Sequence, residues 1–447
     1  MKFSDIPSTT VLLQSPVLQG LEHSFSLRII HLTTQRIRGV LCKQPAIISV
    51  NWDKELQASK EQLQKKRYQR IINATGIVIH TNLGRSPIAR EVLDYVQEIG
   101  SGYCDLEMNI KTGKRGGRIL GIQEKLQLLT GAESALVVNN NAAAIFLVLT
   151  ALCKNKEVVI SRSELVEIGG SFRIPDMISA GGAILKEIGT TNRTHLRDYQ
   201  KALSENTGAI LKIHPSNFMI SGFVQKPSRK ELAKEAQENG VLFVEDLGSG
   251  LLHPRSSLNQ TLLAEEAVVQ ALEAGVDILT FSGDKLLGAG QAGIILGKKE
   301  LIDSCREHPM YRVLRLGKIS LALLEGTLQL YLEGQADILP IWEMMHRSLE
   351  KISDMAKEIA QEFSQASVRP MFSYSGGGAL PQQEIPSMGV VFQTQRAESM
   401  ARYLRGLETP ILARIHQDNL ILDPRTLFPE DIPFVKQGLR DWYNLND

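Results

Sequence analysis

From about Arg70 onward, short apolar runs recur at intervals of about 20–30 residues, each followed by helix-like sequence. The runs are Ile77-Val78-Ile79, Ala135-Leu136-Val137-Val138, Glu157-Val158-Val159-Ile160, Ala183-Ile184-Leu185, Ala209–Ile213, Val241-Leu242-Phe243-Val244 and Ile278-Leu279-Thr280. Strands that read as continuous apolar runs are covered on both faces, so the pattern predicts an α/β fold with a mostly parallel sheet sandwiched by helices. At 447 residues the chain exceeds what one core fills, and two or three domains are expected. The expected division is a helical module plus linker over 1–66, a large domain over 67–335 and a smaller α+β domain over 336–447. Within the first part, residues 1–50 read as short helices punctuated by Pro7, Pro16 and Pro45, and the Lys/Gln-rich Trp52–Tyr68 reads as a helical connector. A long helical stretch from about Leu316 to Phe363 leads into the C-terminal domain.

Net charge is +1, so the chain as a whole does not advertise a nucleic-acid binder. The charge is uneven, however: residues 1–70 hold eleven Lys/Arg against five Asp/Glu, which suits either a polyanion partner or solvated helix faces. Cys42, Cys104, Cys153 and Cys305 are scattered, with neither a disulfide framework nor a zinc spacing, and a cytoplasmic setting is expected. The longest apolar run, Ala142–Cys153, falls short of the ~20 residues that cross a bilayer.

Three strand ends carry the chemistry. After Ile278-Leu279-Thr280-Phe281, the turn Ser282-Gly283-Asp284-Lys285 places one lysine before a second apolar run, Ala292–Gly297. That lysine is either a solvated loop residue or an amine held at the sheet edge, where a lowered pKa suits Schiff-base chemistry. Asp246 ends another apolar run, and glycines follow it. An acid there is a helix cap, a metal-type Asp or the partner of a protonated pyridine nitrogen, the pairing that keeps pyridoxal phosphate an electron sink. Asn139-Asn140-Asn141 stands between a strand and a helix start, followed by Ala142 and two more alanines. One Asn is explained by capping, whereas three before small residues point to a phosphate cup. Asn217, after a fourth strand, could bond the cofactor's phenolic oxygen, and His214 is structural or catalytic. Gly288-Ala289-Gly290-Gln291-Ala292-Gly293 matches a dinucleotide fingerprint, but a strand follows it where that motif needs a helix. Arg85, Arg115, Arg118, Arg312 and Arg315 lie in turn-rich contexts that suit phosphate-like anions.

Taken together these residues resemble the bacterial selenocysteine synthase family. The matching strings include Ile72–Gly76, His80–Arg85, Gly113–Gly116, Val138–Ala143, Glu164–Pro175, Gly189–Thr194, Ser282–Leu287 and Leu422–Leu427. The resemblance covers about Arg70 to Leu427 and implies a fold-type-I pyridoxal-phosphate transferase. It implies Lys285 as the cofactor lysine, Asp246 as the ring-nitrogen partner, and Asn140, Asn141, Ala142 and Ser282 around the phosphate. It further implies Arg85, Arg312 and Arg315 as holders of the selenium donor, selenophosphate, with no metal. The N-terminal module is then the tRNA-docking domain, and the assembly is a homodecamer, a ring of five dimers.

The implied reaction converts L-seryl-tRNA(Sec) to selenocysteinyl-tRNA(Sec) by β-elimination to dehydroalanyl-tRNA and selenium addition. Two rivals stand beside it. One is a related pyridoxal-phosphate ammonia-lyase or β-eliminating enzyme on a small amino acid or amino sugar, which has no use for a basic N-terminal module. The other is a catalytically silent RNA-binding scaffold, which has no use for the pairing of Lys285 with Asp246.

Overall fold

The computed structural model describes residues 3–43, 49–169, 172–214, 218–253, 267–378 and 384–446. The chain divides into two compact units, Met1–Arg70 and Ile71–Asp447. In the first unit, His23–Lys43 is one continuous helix and the expected connector is a second helix, Trp52–Gln64. Trp52, Leu56, Ser59 and Leu63 recur at helical spacing and put one stripe inward. Leu56 is fully buried among Leu12, Leu18, Ile29 and Ile30, and Asn51 caps the helix by accepting from the Lys54 amide at 3.1 Å. With so few apolar positions among lysines and glutamines, the stripe is narrow enough to pass for a linker.

The second unit is organised by a seven-stranded sheet. Its strands are β1 (Ser134–Val138), β2 (Glu157–Ser161), β3 (Ile184–Ile188), β4 (Thr207–Ile213), β5 (Leu242–Gly248), β6 (Ile278–Ser282) and β7 (Gly293–Gly297). They lie in the order β1-β7-β6-β5-β4-β2-β3. β7 is antiparallel to both β6 and β1, and the remaining pairs are parallel. β1, β6 and β7 are buried at every position, as expected of strands covered on both faces. Residues 283–292 join β6 to β7 without a helix, so β7 runs back beside β6. Consequently the glycines of the false dinucleotide fingerprint lead into a strand. The carboxyl ends of β1, β4, β5 and β6 then share one edge with the start of β7.

A second sheet is formed by β8 (Ala366–Gly376), β9 (Glu384–Gln393), β10 (Arg414–His416) and β11 (Asn419–Leu422), ordered β10-β11-β9-β8. Ile77–Ile79, expected in the large sheet, completes this one beside β8, and Ile72–Asn73 pairs with Ile411–Leu412. The cause is a buried carboxylate. Asp423 accepts from Ser373 Oγ at 2.7 Å, Ser387 Oγ at 2.8 Å, Arg414 Nη2 at 3.2 Å and the Arg425 amide at 3.1 Å. Gly76, with φ of 73°, passes so close that a Cβ there would overlap the Asp423 carboxylate. Thr426 Oγ1 donates to the Asn73 carbonyl and accepts from the Gly76 amide, which ties the early segment to the late sheet.

The predicted long helical stretch is three helices, Lys318–Leu332, Pro340–His346 and Leu349–Ala360. Gly334 in the left-handed region and Pro340 at a helix start make the first break. Among the described residues no helix is long and apolar enough to cross a membrane. Replacing Asp423 with Ala strands the Arg414 guanidinium and two buried hydroxyls, so urea unfolding should show a loss of about 3 kcal/mol.

Candidate active site

Lys285 sits where the chain leaves β6, on the shared carboxyl edge, and its side chain is buried. The turn that carries it is fixed from three directions. Ser86 Oγ donates to the Lys285 carbonyl at 2.8 Å, and the Leu286 amide donates to the Ser249 carbonyl at 2.9 Å. Tyr331 Oη donates to the Leu287 carbonyl at 3.1 Å and accepts from Trp342 Nε1 at 2.9 Å. Of the alternatives open for this lysine, the structure therefore gives the amine held at the sheet edge.

Asp246 lies near the end of the neighbouring strand β5 and is almost completely buried. Burial drives its carboxyl above the ordinary range, opposed first by a hydrogen bond from Asn141 and then by the charge of Lys285. Asn141 Nδ2 donates to Asp246 Oδ1 at 2.7 Å, and the Gly248 amide donates to the same oxygen at 3.0 Å. Gly248 is left-handed, with φ of 72°, and a Cβ on it would lie 3.9 Å from Lys285 Nζ. The backbone thus gives way beside the amine, and glycine is required by its φ.

The Asn cluster divides its work. Asn140 is the N-cap of helix α1 (Asn141–Leu152): its Oδ1 accepts from the Ala143 amide at 2.8 Å. Asn141 turns to Asp246 instead, and the Asn139 amide donates to the Leu314 carbonyl at 2.9 Å. Neither the Asn140 carboxamide nor that of Asn141 is aimed as a phosphate ligand. The backbone amides of Asn141 and Ala142, in the first turn of α1, are left for an anion among the described residues. Ser282, the last residue of β6, is buried opposite Gly293. Gly293 is where a Cβ would overlap the Asn140 carbonyl, so glycine lets β7 reach the helix start.

The arginines separate. Arg85 pairs with Asp284 at 2.5 Å, next to the lysine, and holds a left-handed φ of 66° that is uncommon for a side chain of its size. Its amide donates to the His80 carbonyl at 3.1 Å, closing the 80–85 turn. Arg315 is drawn to Glu107 at 3.6 Å, alongside Arg115 at 3.0 Å and Arg118 at 2.6 Å. Three guanidinia around one carboxylate leave an excess of positive charge, and Arg118 first, then Arg115, hold Glu107 below the usual carboxylate range. Arg312 is exposed. Asn217 lies outside the described residues, and His214 donates its amide to the Asp246 carbonyl at 2.9 Å. Asp284, Ser86 and Tyr331 are site-building residues that motif reasoning passed over; only the adjacency of Asp284 to Lys285 offered a signal.

The set suits pyridoxal phosphate: a buried amine, a buried carboxylate one strand away and a helix start for the phosphate. Asn141 Oδ1, Ser249 Oγ and His80 Nδ1 are buried without a hydrogen-bond partner among the described residues, polar capacity that a ligand would use. No cluster of His, Cys, Asp and Glu able to hold a metal is found among the described residues.

The Asp246 carboxyl makes a sign-definite prediction. Because its folded pKa is raised, the folded state holds the proton more tightly, so stability is lost as pH rises from the ordinary carboxylate range through the raised value. Asp246→Asn should remove that slope, raise the melting temperature of the cofactor-free protein at pH 7 and weaken pyridoxal phosphate binding. Thermal melts between pH 4 and 8, together with a cofactor titration, check both halves.

The family model described as L-seryl-tRNA selenium transferase matches residues 71–428. The chain is 46% identical to the L-seryl-tRNA(Sec) selenium transferase of Geobacter metallireducens, covering 83% of this chain and 82% of that one. It is 40% identical to that of Carboxydothermus hydrogenoformans, covering 97% and 96%. Among solved structures, D-glucosaminate-6-phosphate ammonia-lyase superposes with a TM-score of 0.62 at 22% identity, covering 85% of this chain and 96% of that one, a likeness of fold. The sheet order and its single antiparallel strand give the fold-type-I architecture of pyridoxal-phosphate transferases. By its matched length and by these relatives, the chain belongs to the L-seryl-tRNA(Sec) selenium transferase family.

Proposed function

We propose that the protein converts L-seryl-tRNA(Sec) to L-selenocysteinyl-tRNA(Sec), with pyridoxal phosphate as cofactor and selenophosphate as selenium donor. The observation that carries the chemistry is the buried Lys285 beside the buried Asp246 on adjacent strand ends; the substrate comes from family membership. The ammonia-lyase likeness is one of fold and supplies no rival substrate.

When bound, the cofactor withdraws electrons from the seryl Cα. Asp246, whose raised pKa is opposed by Asn141 and Lys285, would face the ring nitrogen and hold the proton there. The start of α1 would hold the phosphate on the Asn141 and Ala142 amides, with Ser282 beside it. Lys285 Nζ would remove the Cα proton, the β-hydroxyl would take a proton and leave as water, the selenium of selenophosphate would add at Cβ as a proton returns to Cα, and water would cleave the Se–P bond to release phosphate. Arg85, Arg312 and Arg315 hold the phosphate of the selenium donor, which calls for Arg315 to loosen from Glu107. Asn217 is assigned to the cofactor's phenolic oxygen from its place in the sequence among the polar groups that follow a strand.

The unit Met1–Arg70, with its surplus of basic residues, docks the tRNA. The four cysteines are all free thiols, which supports a cytoplasmic setting. Exposed Tyr103, Ile110 and Phe223 support association of copies, with the family's decamer as the assembly.

The deciding assay is selenophosphate-dependent conversion of seryl-tRNA(Sec), with seryl-tRNA(Ser) as control: product should form from the first alone. Lys285→Ala should lose the cofactor's absorbance band near the visible edge and all turnover. Removal of residues 1–70 should abolish turnover of seryl-tRNA(Sec) while a cofactor titration still saturates.

A further inference from the structure

The carboxamide of Asn141 is the one side chain of the helix start that reaches across to another strand end. Its Nδ2 donates to Asp246 Oδ1 at 2.7 Å, while its Oδ1 is buried and without a partner among the described residues. An amide has two donor hydrogens on nitrogen and only acceptor lone pairs on oxygen. One N–H of the nitrogen is committed to Asp246, and the group left buried without a partner among the described residues is the oxygen, an acceptor that repels a phosphate. Asn140 is the cap of the same helix, so capping leaves position 141 unexplained.

We propose that Asn141 is a positioning residue that acts on the cofactor through Asp246, orienting and holding charged the carboxylate that faces the ring nitrogen, and that it is not a phosphate ligand. The inference rests on the pyridoxal-phosphate reading of the site. The geometry around the carboxylate gives the reason. Asn141 and the Gly248 amide converge on Oδ1, and two donors on one oxygen fix the orientation of the carboxylate. Lys285 supplies charge without the same directionality, and the buried Thr280 hydroxyl on the next strand makes no hydrogen bond among the described residues. A hydrogen bond to a charged group inside a protein is worth more than one between neutral groups, so its loss is measurable in ligand affinity.

Three ligands separate the two roles in the full-length protein: pyridoxal phosphate, pyridoxal lacking the phosphate, and 1-deazapyridoxal phosphate lacking the ring nitrogen. Asn141→Ala should weaken pyridoxal phosphate and pyridoxal by the same factor, about tenfold, and should leave affinity for the deaza compound nearly unchanged. Asn141→Asp, of the same size, should follow this pattern with a larger loss, and it keeps the test open if the Ala variant does not fold. Asn140→Ala serves as the comparison, destabilising the helix by removing its cap without that ligand selectivity. A loss confined to the two phosphate-bearing ligands would overturn the proposal and return Asn141 to the phosphate. Equal affinity of wild type and both variants for all three ligands would overturn it as well. Failure of the wild-type protein to bind pyridoxal phosphate at all would instead sink the cofactor assignment.

Discussion

Everything at the site depends on keeping a carboxylate and an amine buried together at the ends of adjacent parallel strands. Asp246 on β5 and Lys285 after β6 are each nearly removed from water. Burying a charge is costly unless it is hydrogen-bonded and paired, and here both conditions are met from the surrounding frame. The Asn141 amide and the Gly248 backbone serve the carboxylate. The lysine turn is held by Ser86, the Ser249 carbonyl and the Tyr331–Trp342 pair. These groups come from four separate parts of the chain, and the seven-stranded sheet is what makes their edges coincide.

The same sheet keeps a second buried charge set next to the first. Glu245, one residue before Asp246, is fully buried and bonds Arg229 at 2.6 and 2.9 Å and Lys212 at 3.3 Å. Alternation along β5 sends consecutive carboxylates to opposite faces, one to a structural ion cluster and the other to the site. Glu164, wholly buried, accepts from the Ile213 amide at 3.1 Å and anchors the end of β4 just before His214. Burial pushes the Glu164 carboxyl up, Lys212 opposing it. In sequence alone these acids look alike, and only the face each one occupies tells support from chemistry.

Much of the fold was legible because it follows from local patterns. Continuous apolar runs at regular intervals give a covered, mostly parallel sheet, and the second apolar run after the glycines marks a strand there, whose antiparallel direction the structure supplies. The exceptions have physical causes. Ile77–Ile79 has the texture of a parallel strand but joins the C-terminal sheet, because Gly76 packs against Asp423, a residue far away in the chain. Trp52–Gln64 is the helix its sequence suggests, but it packs into the N-terminal core rather than serving as a connector, through inward positions too few to stand out against its polar composition. At the site, Lys285 and Asp246 stood out as polar residues ending apolar runs. Asp284, Ser86 and Tyr331 did not, since their roles are hydrogen bonds to groups distant in sequence.

The sequence by itself determined the class of the large sheet, the positions of its strand ends and the residue types at them, because strand periodicity and turn chemistry are local. Its long motif strings also placed it in its family. Tertiary structure decided which of those polar residues meet. It gave Asn140 to the helix cap and Asn141 to Asp246, and it set Arg85 on Asp284 beside the lysine while Arg315 went to Glu107. Side-chain direction at a strand end or helix start depends on the neighbouring strand's register and on close approaches such as that of Gly293 to Asn140. Those are set by packing between segments more than a hundred residues apart.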